Sequence, residues 1–314
     1  MIRTLALGLL LLAASALPVA AEPALAAAVG SPDDVRQTVL VGPSGQLWEP
    51  DGSGTWTRRS AGGVAADVGG ATRATGMGIV VAGRATPLYR REGDLWLSLR
   101  FGERGRTVVA AGPRAAVAVG RQVFIHSAGK WKRVGATVRP PLALWAGSDT
   151  KIYAASDTGV LRLAGGGFVA HAPTPITGFG TGAGAAPWAI ATDGGVLDVT
   201  TKRLHHPTAA DGGAITAQLV TVAADGTVWV LGRTAIGAAA LAQLRKGAWT
   251  VAPSPPLAAD DLPVVLAVDR AGSVLVATRA GAVHLGAADG TWKAGVLAEA
   301  LPAARPGPAP ARTR

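Results

Sequence analysis

Residues Ser273–Trp292 read SVLVATRAGAVHLGAADGTW, and residues Lys151–Phe168 read KIYAASDTGVLRLAGGGF. Both begin with a short apolar run that ends in a small residue. Both then pass a Gly turn, return to aliphatic residues and finish at an aromatic residue just past another Gly. With the small residue as marker, the phrase recurs as VLVG ending at Gly42, VVAG at Gly83, VAVG at Gly120, YAAS at Ser156, AIAT at Thr192, WVLG at Gly232 and VLVAT at Thr278. The gaps are 41, 37, 36, 36, 40 and 46 residues. Seven statements at a nearly constant period mark a repeat architecture.

Five residues past the marker stands an aliphatic residue in six copies: Leu47, Leu88, Ile125, Leu161, Leu197 and Val283. The sixth copy carries an insertion, Ala235–Ala240, ahead of Leu241–Leu244. Turn residues such as Asp157-Thr158-Gly159 and Arg279-Ala280-Gly281 separate the two apolar segments, and a late Gly supplies the positive φ that closes a short hairpin. The closing aromatic is Trp56, Trp96, Trp131, Phe168, Trp249 or Trp292, with Leu204 in the fifth copy. One more apolar stretch precedes each marker, so each copy predicts four short strands.

Four-stranded antiparallel units at a period near 40 point to an all-β fold, a seven-bladed β-propeller. One blade cannot bury both faces; radial stacking buries them and leaves few free edges. The recurrent aromatic is expected to fill the space between blades. The propeller is assigned to residues 35–300. Residues 22–34 form a linker or a closing strand: either Ala24–Val29 supplies the first inner strand, or Val296–Leu301 returns to complete the first blade. Residues 301–314, LPAARPGPAPARTR, read as a disordered Pro/Arg tail.

The first 21 residues read as a cleavable export signal: a positive start at Arg3, an apolar run Leu5–Leu17 and a small-residue cleavage site at Val19-Ala20-Ala21. The run is shorter than the ~20 residues a spanning helix needs. A soluble periplasmic or secreted protein is expected. The chain has no Cys, which excludes disulfides, thiolate metal sites and a cysteine nucleophile. Its formal charge of +10 falls to about +9 without Arg3. From Arg104 to Ser148 there is no acid and there are eight basic residues, which suits an anionic neighbour or simple solvation.

The phrases IYAASDTGVLRLAGGGF and VLVATRAGAVHLGAADGTW resemble the two-component-regulator propeller repeat over about Val35–Leu297. That resemblance implies a sensory or binding ring, with no signalling domain expected on this chain. Asp51-Gly-Ser-Gly-Thr-Trp56 is similar to the Asp-box turn of sialidase-type propellers, but it occurs once, and the Tyr nucleophile of those enzymes has only Tyr89 and Tyr153 as counterparts. Tyr153 lies in a marker strand and reads as core.

Catalytic chemistry is weakly signalled. Most acids sit in Asp-Gly turns, where the side chain bonds the nearby backbone. His205 and His206 are adjacent and would face opposite sides of a strand. His126 and His284 both lie six residues past a marker; seven-bladed antibiotic lyases use a funnel histidine, yet these two have no obvious carboxylate companion. No catalytic residue, metal or cofactor is therefore expected. The residue directly after each marker is Pro43, Arg84, Arg121, Asp157, Asp193, Arg233 or Arg279. It opens the turn between the second and third strands, so Arg84, Arg121, Arg233 and Arg279 are the candidate anion-binding face. The expected function is a non-catalytic, monomeric scaffold that recognises a protein partner or an anionic envelope polymer. The alternative is an extracytoplasmic lyase or glycosidase. Nucleic acid is not expected, because the aromatics recur at packing positions rather than as stacking platforms.

Overall fold

A computed structural model describes residues 25–31, 33–60, 68–74, 78–83, 88–92, 95–99, 101, 105–147, 151–182 and 186–298. The leader, the tail and Arg84 lie outside them. Among the described residues the only helical turn is Val35–Gln37; all other regular structure is β.

The strands follow one another as antiparallel meanders. The first comprises Ala27–Val29, Val39–Val41, Leu47–Pro50 and Thr55–Ser60. Next come Val68–Ala74, Gly78–Gly83, Leu88–Glu92 and Leu95–Leu99. Thr107–Ala111, Ala116–Val119, Gln122–Ser127 and Lys130–Ala136 repeat the pattern. So do Leu144–Ala146, Ile152–Ser156, Gly159–Ala164 and Gly167–Ala172. Then come Ile176–Phe179, Trp188–Ala191, Val196–Asp198 and Arg203–His205. Thr216–Val222, Val228–Arg233, Ala239–Arg245 and Ala248–Ala252 follow. The last is Pro263–Val268, Val274–Thr278, Val283–Gly286 and Trp292–Ala298.

Each marker run of the sequence is the second strand of a meander. These strands are buried on both faces: Leu40, Val41, Val80, Val81, Ala154, Ala155, Val230, Leu231, Leu275 and Val276 are all 0% exposed. Doubly buried strands read as continuous apolar runs, which is why the marker is uninterrupted rather than alternating. In the sixth copy the extra residues lengthen the paired strands rather than the turn: Gly237 N–H donates to the Thr234 carbonyl as Gly281 N–H does to Thr278, and the third strand begins at Ala239, opposite Arg233. Of the two closing options, the structure shows Ala27–Val29 paired with Val39–Val41 as the first inner strand. Val296 belongs to the last outer strand, and that strand runs parallel to the first outer one, with Val296 opposite Thr55, Leu297 opposite Trp56 and Ala298 opposite Thr57.

The closing aromatics lie on the outer strands and pack backwards, onto the preceding meander. Trp96 joins the cluster of Val41 and Leu47, Trp131 that of Val80 and Leu88, and Phe168 that of Ala118 and Val123. Trp249 packs with Ile190 and Val196, and Trp292 with Leu231 and Leu241. Leu204, the exception in the sequence pattern, packs with Tyr153 and Val160 in the same way. Two indoles also reach back with hydrogen bonds: Trp96 Nε1 donates to the Gly45 carbonyl at 3.0 Å and Trp292 Nε1 to the Pro253 carbonyl at 3.2 Å. Trp56 closes the series by packing against Leu275, Ala277 and Val283 of the last meander.

The first and last meanders are also tied by polar contacts. Leu25 N–H donates to the Arg279 carbonyl at 3.2 Å. Asp269, only 5% exposed, accepts from the amides of Ala271 and Ser273 at 2.9 Å and from Val35 at 3.4 Å. A buried carboxylate is tolerable only with such donors around it.

Candidate functional site

Successive turns of a meander alternate between two ends. The turns from second to third strand and the connections between meanders therefore share one end, here the loop end; the turns from first to second and from third to fourth strand share the other.

The residue after each marker opens a turn at the loop end. Arg121 and Arg279 are exposed there, and their side chains make no hydrogen bond or ion pair among the described residues. Arg233 is engaged: its guanidinium donates to the carbonyls of Gly237, Ala258 and Asp261 at 3.1, 2.8 and 2.7 Å, bracing its turn against the connection that follows. Asp157 pairs with Arg139 at 2.9 Å, and Asp193 accepts the amide of Gly195 within its own turn. Large aliphatic side chains are exposed at the same end: Val138 by 82%, Ile236 by 88% and Leu262 by 52%. Two adjoin the free arginines. Thr137 N–H donates to the Arg121 carbonyl at 2.9 Å, next to Val138, and Arg279 N–H donates to the Leu262 carbonyl at 2.8 Å. Single-residue patterns gave no sign of these pairings, because each joins segments that touch only through the fold.

A channel of about 490 Å³ is lined by inner strands from around the structure, among them Ala28, Thr72, Ala110, Thr177, Gln218 and Val265. Its walls are chiefly apolar residues, glycines and threonines, with Arg73 as the one charged lining residue among the described residues. Gln218 Oε1 has no hydrogen-bond partner among the described residues.

The remaining candidates are dispersed. His126 sits on a third strand beside Trp131, ring centroids 5.1 Å apart. His284 occupies the matching strand of the last meander, where burial pushes its imidazole below the usual histidine range against the opposing pull of Asp261. His205 is half-buried against Trp188 and Trp249, and burial, then the charge of Arg203, lowers it too. His206, its neighbour, is exposed. Tyr153 is core, between Trp145 and His171. The turn acids cap their own turns. Asp225 Oδ1 accepts from Thr227 N–H and Asp289 Oδ1 from Thr291 N–H, both at 2.9 Å, and these bonds hold both carboxyls below the usual carboxylate range. Asp51 of the Asp-box is held low by the hydroxyl and amide of Ser53, which fixes it as a turn-former. Among the described residues, no three His, Asp or Glu side chains converge as a metal site, and no helix is long and apolar enough to cross a membrane.

No protein-family model matches the chain, and no curated protein matches it significantly. Solved structures do resemble it. The WD40 β-propeller domain of Doa1 superposes with a TM-score of 0.59 at 13% identity, covering 84% of this chain and 93% of that one. YCF48 bound to D1 peptide gives 0.56 at 14% identity, covering 85% and 94%. Sqt1 of Saccharomyces cerevisiae gives 0.56 at 12% identity, covering 88% and 86%. At such identities the likeness is one of fold, and that fold is a β-propeller. These neighbours are WD40 and YCF48 propellers; they lend nothing to the narrower two-component-regulator resemblance.

Proposed function

We propose that the chain is a non-catalytic recognition scaffold: seven four-stranded blades closed into a ring, exported by the leader at 1–21, with its loop end presented to a protein partner. The observation that carries this reading is the placing of exposed aliphatic residues on backbone joined to arginines unengaged among the described residues, Val138 next to the Thr137 that bonds the Arg121 carbonyl and Leu262 bonded to the Arg279 amide, with Ile236 exposed at the same end. Protein interfaces enrich arginine and have a more apolar centre than the surrounding surface. Arg84 extends the arginine series by its sequence position, while Arg233 serves the frame. Propellers suit this task because a stiff ring holds loops in fixed relation. One neighbour of the fold, YCF48, is a peptide-bound propeller, which supports the same class of activity.

The test is capture of cell-envelope components by the mature chain, compared with Arg121→Ala/Arg279→Ala and with Ile236→Asp. A captured protein should be retained in high salt and should bind both variants about tenfold or more weakly, as expected for truncated interface anchors. Capture of an anionic polymer that ignores Ile236→Asp and elutes with salt would replace the protein partner by the polymer.

A further inference from the structure

At the end opposite the loop end, the turn after Ala111 and the hairpin turn after Ser127 enclose a recess of about 350 Å³. Arg73, Pro113, Arg114, His126, Ser127 and Gly129 line it. Two of these residues are cationic, and among the described residues no acid lines the recess. Neither Arg73 nor Arg114 makes an ion pair among the described residues, and Arg73 is exposed while Arg114 is half-buried. His126 is only 7% exposed, and its Nε2 has no hydrogen-bond partner among the described residues. Its backbone is fixed, since His126 N–H donates to the Ala115 carbonyl at 2.9 Å. Its ring is held edge-on to Trp131. A buried imidazole lacking a partner at one nitrogen is an unmet hydrogen-bonding demand, here in a residue that lines a pocket with two cations. Arg73 and Pro113 line the central channel as well, so the recess and the channel share a wall and lie side by side.

We propose that the Arg73–Arg114–His126 recess binds the oxyanion head group, carboxylate or phosphate, of a small ligand whose apolar body lies in the channel. Guanidinium forks match both head groups, and the channel has the volume and the largely apolar lining of a small-molecule site. The site is separate from the loop end and stands or falls independently of any protein partner there.

The probes are hexanoate, hexyl phosphate and neutral hexanol, titrated into the full chain while the imidazole ¹⁵N signals of His126 are followed. Both acids should shift those signals, and hexanol should bind about tenfold or more weakly, the cost of losing hydrogen bonds to a charged group. The tighter of the two acids identifies the head group. Arg73→Gln/Arg114→Gln should weaken both acids by about tenfold or more and leave hexanol unchanged, with an unaltered far-UV circular dichroism spectrum. The proposal is overturned if neither acid moves His126, if hexanol binds as tightly as the acids, or if the double variant binds them as the parent does.

Discussion

Trp56→Ala is expected to lower the free energy of unfolding by about 3–5 kcal/mol, measured by denaturant titration. The indole is 0% exposed and lies against Leu275, Ala277 and Val283, which come from the far end of the chain. Its Nε1 donates at 2.7 Å to the carbonyl of Thr38, itself 0% exposed, so truncation would also orphan a buried acceptor. The site has little means of collapsing, since Gly295 approaches so closely that a Cβ there would stand 2.8 Å from the ring. Trp56→Phe should recover most of the packing and leave only the orphaned carbonyl. Trp292→Ala, at a half-buried indole in the equivalent strand position, should cost less than half as much. A loss below about 1 kcal/mol for Trp56→Ala would mean that the first and last meanders do not pack together.

Gly159→Ala should cost about 3 kcal/mol or more, whereas Gly165→Ala in the same hairpin should cost only about 1–2 kcal/mol. Gly159 has φ +138°, and an added Cβ would lie 2.2 Å from the Ala172 carbonyl oxygen and within 3.1 Å of the Pro173 backbone. These are main-chain atoms at the end of the neighbouring strand, and they cannot swing aside as a side chain would. Gly165 has φ +58° with nothing within 4 Å, so its substitution carries the left-handed backbone cost alone. Thermal unfolding of the two variants side by side separates close approach from conformational strain. Equal effects would contradict the hairpin geometry.

The fold was legible because a β-propeller restates its packing once per blade. A marker run such as VAVG must be apolar on both faces, and a tryptophan such as Trp131 must return wherever an outer strand meets its neighbour. Closure was ambiguous for a physical reason: Ala24–Val29 is a run of small apolar residues that signals neither strand nor linker by alternation. The loop end was only partly legible. Arg121, Arg233 and Arg279 look equivalent in the repeat, yet the connection after Ala252 curls back to supply Arg233 with the Ala258 and Asp261 carbonyls. That connection belongs to no repeat, so its acceptors had no register from which to be read. The recess was illegible because Arg73 and Arg114 stand on different meanders and meet only through packing.

Pairing of the first outer strand with the last holds the ring together, and the absence of native cysteine allows a clean test of it. Thr57 and Ala298 are register partners in that parallel pairing, close enough for a disulfide. In Thr57→Cys/Ala298→Cys, mild oxidation should give an intramolecular bond, no free thiol and a raised melting temperature, because the bond closes a loop of most of the chain. Thiols that stay free, or that link one molecule to another, would show that the two ends of the chain do not meet.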